Sequence, residues 1–330
     1  MIEENATSEK KRFKNIVIKG DIERIGDGAF SACEKLETVE IRDGVKEIGE
    51  KAFANCPNLT SVVIPDSVEV IKDWAFSHCP KLTSVVIPDD LKVIYPGAFV
   101  GSGLDLIRKG ELLSAKKRSG KIRIPAGVDH IRPEVFKDCK QLTSVTIPEG
   151  VECIGGEAFA NCTGLTSIKL PKSITEIDPD AFGGCTGLTE VKIPDGVEYL
   201  VENPFAGCTG LKSDLIWHGM LLFLKKRAGK VTIPDGVKSI EAKVFAGCKR
   251  LISVVIPDGV TYIGDKAFKN CTNLKSVVIP DGVTEIAWEA FAGCTSLKSV
   301  VIPDSVTELG NGAFLGCTGL TSVVLSKGLE

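Results

Sequence analysis

No stretch of the 330-residue sequence approaches the roughly 18 consecutive apolar residues that a membrane-spanning helix requires. The opening segment MIEENATSEKKRFKN is polar and has no apolar core of the kind a secretory signal carries, so neither leader nor membrane anchor is visible and no membrane insertion is expected. An excess of one charge is missing too. The 40 basic and 43 acidic residues are well mixed and leave a formal net charge of −3, so the molecule as a whole has no electrostatic reason to seek nucleic acid. C-x-x-C pairs are absent, and His78, His130 and His218 stand far apart, which argues against a finger-like metal site; no metal or cofactor is expected. The sequence also lacks a G-x-S-x-G elbow and a phosphate-binding loop.

What the sequence has in quantity is one block, L-x-S-V-x-I-P-D-G-V-x-x-I-G-x-x-A-F-x-x-C, repeated along the chain. Cys33, Cys56 and Cys79 are 23 residues apart, with Ser102 next in line; Cys139, Cys162, Cys185 and Cys208 repeat the step, as do Cys248, Cys271, Cys294 and Cys317. Every phenylalanine except Phe13 and Phe223 stands three residues before that position. This gives twelve repeats in three groups of four. Two longer steps separate the groups, 37 residues from Ser102 to Cys139 and 40 from Cys208 to Cys248, and each implies an inserted β-hairpin, at about 105–122 and 214–231.

Within a block such as Val277-Val278-Ile279 the outer residues point one way and the middle one the other, the mark of a short strand with one buried face. Pro280 ends that strand because proline has no N–H for a ladder, and the following Asp-Gly suits a turn. One such unit cannot bury its own apolar face. Stacking at the ~4.8 Å spacing of strands builds a parallel sheet over internal ladders of Val, Ile, Phe and Cys. All the cysteines but Cys153 sit at the repeat position beside a buried Phe and are read as buried thiols, since stacked neighbours would run parallel and make poor disulfides. Cys153 lies off the frame. The recurrent Asp66, Asp89, Asp195, Asp235, Asp258, Asp281 and Asp304 follow the turn proline or stand within that turn, which favours local backbone bonding over a calcium or sugar-hydrolysing array.

From about residue 15 to 325 the block resembles the BspA-like leucine-rich repeat, also called the Treponema pallidum type. The resemblance implies an α/β solenoid of 23-residue coils, a single domain from 15 to 330 behind a polar segment 1–14, with the parallel sheet on its concave face. It also implies a non-enzymatic adhesion module, secreted or at the cell surface, that binds an extracellular matrix or plasma protein or a neighbouring cell's macromolecules. A scaffold without a partner, natural or engineered, is the alternative. A solenoid carbohydrate-active enzyme is the weaker one, since it would need clustered acids and the exposed strand column offers only Glu40.

That column, the middle residue of each strand, is the candidate binding surface. Val63 and Val86 on one side and Val255, Val278 and Val301 on the other flank a basic and hydroxylated middle of Arg123, Thr146, Lys169, Lys192 and Thr232. Lys121 and Lys230 join that middle from the neighbouring column. β-Propensity alone accounts for some exposed valine, but contiguous rows of it mark partner binding. The hairpin tips Lys116-Lys117-Arg118 and Lys225-Lys226-Arg227 are solvated turns or contacts for a polyanion such as a glycan. A weak homodimer through an exposed end or the apolar rows is also expected.

Overall fold

A computed structural model describes residues 13–19, 21–88, 91–95, 97–115, 119–200 and 202–325. They fall into two compact units, Met1–Phe159 with Pro171–Thr175, and Ala160–Leu170 with Glu176–Glu330. Both are stacks of 23-residue coils built from parallel strands.

In the first unit, Asn15–Ile18, Thr38–Ile41, Ser61–Val63 and Ser84–Val86 form one parallel sheet, and the two-residue strands Arg24–Ile25, Glu47–Ile48, Val70–Ile71 and Val93–Ile94 form another. Register follows the sequence period residue for residue, with Thr38 opposite Ser61 and Ser61 opposite Ser84. Leu106–Arg108 then turns back antiparallel on Glu111–Ser114, whose other edge pairs in parallel with His130–Ile131. Gly120–Arg123 pairs with Leu142–Thr146 on the other side.

The second unit repeats the plan. Gly229–Thr232, Leu251–Val255 and Ser276–Val278 make one parallel sheet, and Ser299–Val301 pairs with Ser322–Val324. Leu215–Trp217 runs antiparallel to Met220–Phe223, from which Ser239–Ile240, Tyr262–Ile263, Glu285–Ile286 and Glu308–Leu309 continue in parallel.

The helical half of the expected α/β solenoid is corrected by the structure: the described residues contain no helix. The return side is a chain of turns because its amides alternate in direction. Ala52 and Ala54 donate back within their own coil, to Gly49 and Lys51, whereas Lys51, Phe53 and Asn55 donate to Asp73, Ala75 and Ser77 of the next coil. Lys51 and Asn55 take left-handed conformations, at φ 54° and 57°, to permit it. A helix would withdraw those amides from the neighbour, so stacking and helix formation compete for the same donors.

Inside, phenylalanines stack face to face: Phe53 on Phe76 at 5.2 Å and 2°, Phe268 on Phe291 at 4.9 Å and 2°. Six of the cysteines beside these rings donate the thiol to a phenylalanine carbonyl of the preceding coil, for example Cys56 to Phe30 at 3.2 Å and Cys271 to Phe245 at 3.0 Å. Each ladder thus satisfies a buried carbonyl that the turn leaves open. None of the twelve cysteines is in a disulfide.

Where a hairpin interrupts the stack, particular side chains take over the lost backbone partners. Pro204 bars residue 203 from the helical region, so the left-handed turn falls on Glu202 (φ 56°) and Asn203 is turned inward, 2% exposed. Its Nδ2 donates to Leu222 O at 2.9 Å and Ala242 O at 3.0 Å, while its Oδ1 accepts from Phe205 N at 3.0 Å.

Glu241 occupies a place that five coils give to glycine, Gly26, Gly49, Gly155, Gly264 and Gly310, and others to larger residues such as Lys72 and Asp178. Glu241 follows the hairpin, its N–H donates to Leu221 O at 3.1 Å and its side chain is buried. Burial pushes its carboxyl up from the usual range; the Ser239 hydroxyl, donating at 2.6 Å, works against this, and repulsion from Glu202 adds to it. A carboxyl raised on folding contributes stability that is full below its unfolded value and is lost as pH rises through the folded one. Glu241→Gln is therefore expected to raise the melting temperature at neutral pH and leave it unchanged near pH 4 or below; a lowered neutral-pH melting temperature would contradict this account.

Candidate protein-binding surface

Strand pleating decides which residues reach solvent. In Ser276–Val278 the middle Val277 is buried while Ser276 and Val278 are exposed, and the same holds in Ser299–Val301. The exposed column of the second unit contains Lys169, Lys192, Thr232, Val255, Val278, Val301 and Val324, all open to solvent, with Val278 73% exposed. Thr232 stands opposite Val255, and Val255 opposite Val278. Beside them Lys230 is opposite Ser253, and Ser253 opposite Ser276. Val255 and Val278 are in direct register, as are Val301 and Val324, and these exposed valines form apolar rows beside a polar column.

The first unit carries its own stretch. Val17, Glu40, Val63 and Val86 are consecutive register partners and all exposed. Glu40 is held by Arg42 at 3.2 Å. Arg123 and Thr146 are opposite one another, as are Lys121 and Ser144. An open charged cleft of about 550 Å³, lined by Lys19, Asp21, Arg42, Asp43 and Val63 among others, borders the Val63 end.

The two basic tips fare differently. Lys116, Lys117 and Arg118 lie outside the described residues. In the other tip Lys225 and Lys226 are exposed, and the Lys225 amide is tied to Asp214 Oδ1 at 2.8 Å. The Arg227 guanidinium lies 4.7 Å over the Phe223 ring and donates to Val244 O at 3.5 Å, so this arginine packs the hairpin onto the stack.

Sequence reasoning passed over two tryptophans. Trp288 is 46% exposed with Lys266 Nζ 3.7 Å from its ring centre. Trp74 donates Nε1–H to Glu134 at 3.1 Å, under Lys51 at 4.7 Å. Trp74 stands two before the repeat's Phe and Trp288 three before it, both variable positions where many coils carry a charged residue, and that contrast was the available signal. The ring of Trp74 covers Gly97, where a Cβ would come within 2.6 Å of it. Among the described residues no three metal-ligating side chains cluster, and no helix is long and apolar enough to cross a membrane.

Stacked 23-residue coils, parallel strands with one face buried and the other open, and ladders of repeat residues define a leucine-rich-repeat solenoid. The model for the BspA-type leucine-rich repeat region matches residues 1–114, 111–222 and 219–330, and the chain belongs to that family. Among solved structures it is similar to a leucine-rich cell surface protein from Faecalibacterium prausnitzii, at 28% identity, 95% of this chain, 88% of that one and a TM-score of 0.50. A leucine-rich repeat protein from Bacteroides ovatus is also 28% identical, over 96% and 82% of the two chains, with a TM-score of 0.42. The pneumococcal vaccine antigen PcpA, at 20% identity, 92% and 75% coverage and a TM-score of 0.52, shares the fold. These neighbours are repeat proteins, not enzymes. No curated protein sequence matches.

Proposed function

We propose that this chain is a non-enzymatic recognition module, secreted or displayed on a bacterial surface, that binds another macromolecule through its exposed strand face. The observation that carries the reading is the valine ridge Val255, Val278 and Val301, more than half exposed at every step above a fully buried alternate row. Apolar surface in contiguous rows, bordered by the polar column of Lys230, Ser253 and Ser276, has the composition of a protein-binding patch. The surface-protein description of the Faecalibacterium relative supports the location.

In this reading the partner is a protein of host matrix or plasma, or one on a neighbouring cell. Arg123, Thr146, Lys121, Lys169, Lys192 and Lys230 supply charge and hydrogen bonds, and Val63 and Val86 with the valine ridge supply dry contact. Twelve repeats in three groups of four, separated by insertions at about 105–122 and 214–231 within one domain from 15 to 330, belong to the same proposal. So do glycan contact by the basic tips and weak self-association through the apolar rows.

Immobilised matrix and plasma proteins, screened at two salt concentrations, test this. Reversing both Lys169 and Lys192 to Glu should weaken a saturable partner by about tenfold, the scale of one to two lost charge pairs, with an unchanged melting curve. Binding that is indifferent to this change and to Val278→Asp would sink the proposed face.

A further inference from the structure

Eleven of the cysteines belong to the repeat ladder, most of them with the thiol donated to a carbonyl, but Cys153 is placed otherwise. It opens the two-residue strand Cys153–Ile154, where Ile154 is buried and Cys153 is half-exposed on the outer side. The strand pairs in parallel with His130–Ile131, and His130 stands directly opposite Cys153. Direct partners in a parallel ladder project to the same side, on strands ~4.8 Å apart. A thiol and an imidazole therefore share one partly solvated face.

His130 is itself oriented. Its Nδ1 is 2.7 Å from Asp129 Oδ1, which fixes the tautomer with the proton on Nδ1 and leaves Nε2 as a base. Glu111 is the register partner of His130 on its other side, and it is engaged by Arg132 at 3.3 Å. Carboxylate, imidazole and thiol are the components from which an activated sulfur nucleophile is assembled.

We propose that Cys153 is a site of reversible S-thiolation by low-molecular-weight disulfides, with His130 as its base and Asp129 as the residue that positions His130. His130 Nε2 takes the proton from Sγ, and the thiolate attacks one sulfur of the disulfide. A new Sγ–S bond forms as the old S–S bond breaks, and the departing thiolate carries away the electron pair and is protonated by the imidazolium. One disulfide and one thiol go in, and one of each comes out. The other half-exposed thiol, Cys248, stands at the inward ladder position, where Cys271 and then Arg227 hold it below the usual thiol range against the effect of burial, so it is the rival that the test must separate.

The folded protein is treated with oxidised glutathione, with the adduct located by peptide mass, and with a nitrobenzoate disulfide whose released thiolate is read by absorbance. One thiol should react ahead of all others, and Cys153→Ser should remove that phase while Cys248→Ala keeps it. His130→Asn should slow the phase about tenfold at pH 7, the scale of losing a partner that promotes the thiolate, and displace its pH profile to higher pH. Asp129→Asn should have a smaller effect in the same direction, with the melting curve of each variant confirming the fold. A fast phase that maps to Cys248, or a Cys153 rate indifferent to both His130→Asn and Asp129→Asn, overturns the proposal.

Discussion

Replacing Phe268 by alanine is expected to destabilise the second unit by about 3–5 kcal/mol, the usual range for deleting a fully buried aromatic side chain. Its ring is 0% exposed and stacked at 4.9 Å on both Phe245 and Phe291, so the void opens between two rings that cannot close on it. The rings are held apart by backbone. Phe268 N donates to Ala290 O at 2.7 Å and Phe245 N to Ala267 O at 2.8 Å, and these bonds keep successive coils at their spacing. Because each coil contacts only its neighbours, the loss should show as a lower denaturant midpoint and a shallower slope, as the stack splits at the defect. Wild-type midpoint and slope would mean that the aromatic ladder contributes little.

Asn203→Leu is expected to lower stability by about 3 kcal/mol or more, although it replaces a polar side chain by an apolar one of similar size inside a core. Three buried backbone groups, Leu222 O, Ala242 O and Phe205 N, would lose their partner together, and each unsatisfied group costs about 1–3 kcal/mol. Asn203→Asp should be worse still at neutral pH, since a carboxylate cannot donate to either carbonyl. Urea unfolding of the two variants decides the point. A leucine variant as stable as wild type would show that water or a shifted hairpin replaces the amide.

Most of the coil was legible in the sequence. Alternation in Val277-Val278-Ile279 placed the strand and its buried face, and the proline after it ended the strand, because proline offers no ladder N–H wherever the fold puts it. The Phe and Cys positions announced internal ladders, since identical residues at a fixed period must stack when coils do. The expectation of a helical component failed for a physical reason. The amides of Lys51, Phe53 and Asn55 go to the next coil, and that competition does not appear in the composition of one repeat.

The candidate face was legible to the same depth. Pleating ensured that Val255, Val278 and Val301 would share a side, and all three are exposed. The basic tips were less so. Arg227 reads as one of three solvated cations, but its guanidinium stacks on Phe223, four residues earlier, because the hairpin turns that ring beneath it. Lys225 and Lys226 have no such ring and stay in solvent.

By itself, the sequence determined the period, the strand register within each unit, the buried ladders and the open valine column, because each follows from local pleating and a constant 23-residue step. Tertiary structure alone decided what happens where that step is broken. Asn203 becomes a buried clasp because the hairpin removes the coil that would have received Phe205 N, and Glu241 is buried in the coil that follows the hairpin, its N–H donated to Leu221 O of the hairpin strand. His130 and Cys153 meet because one full coil separates them, and a parallel ladder turns that sequence distance into side-by-side contact of two strands.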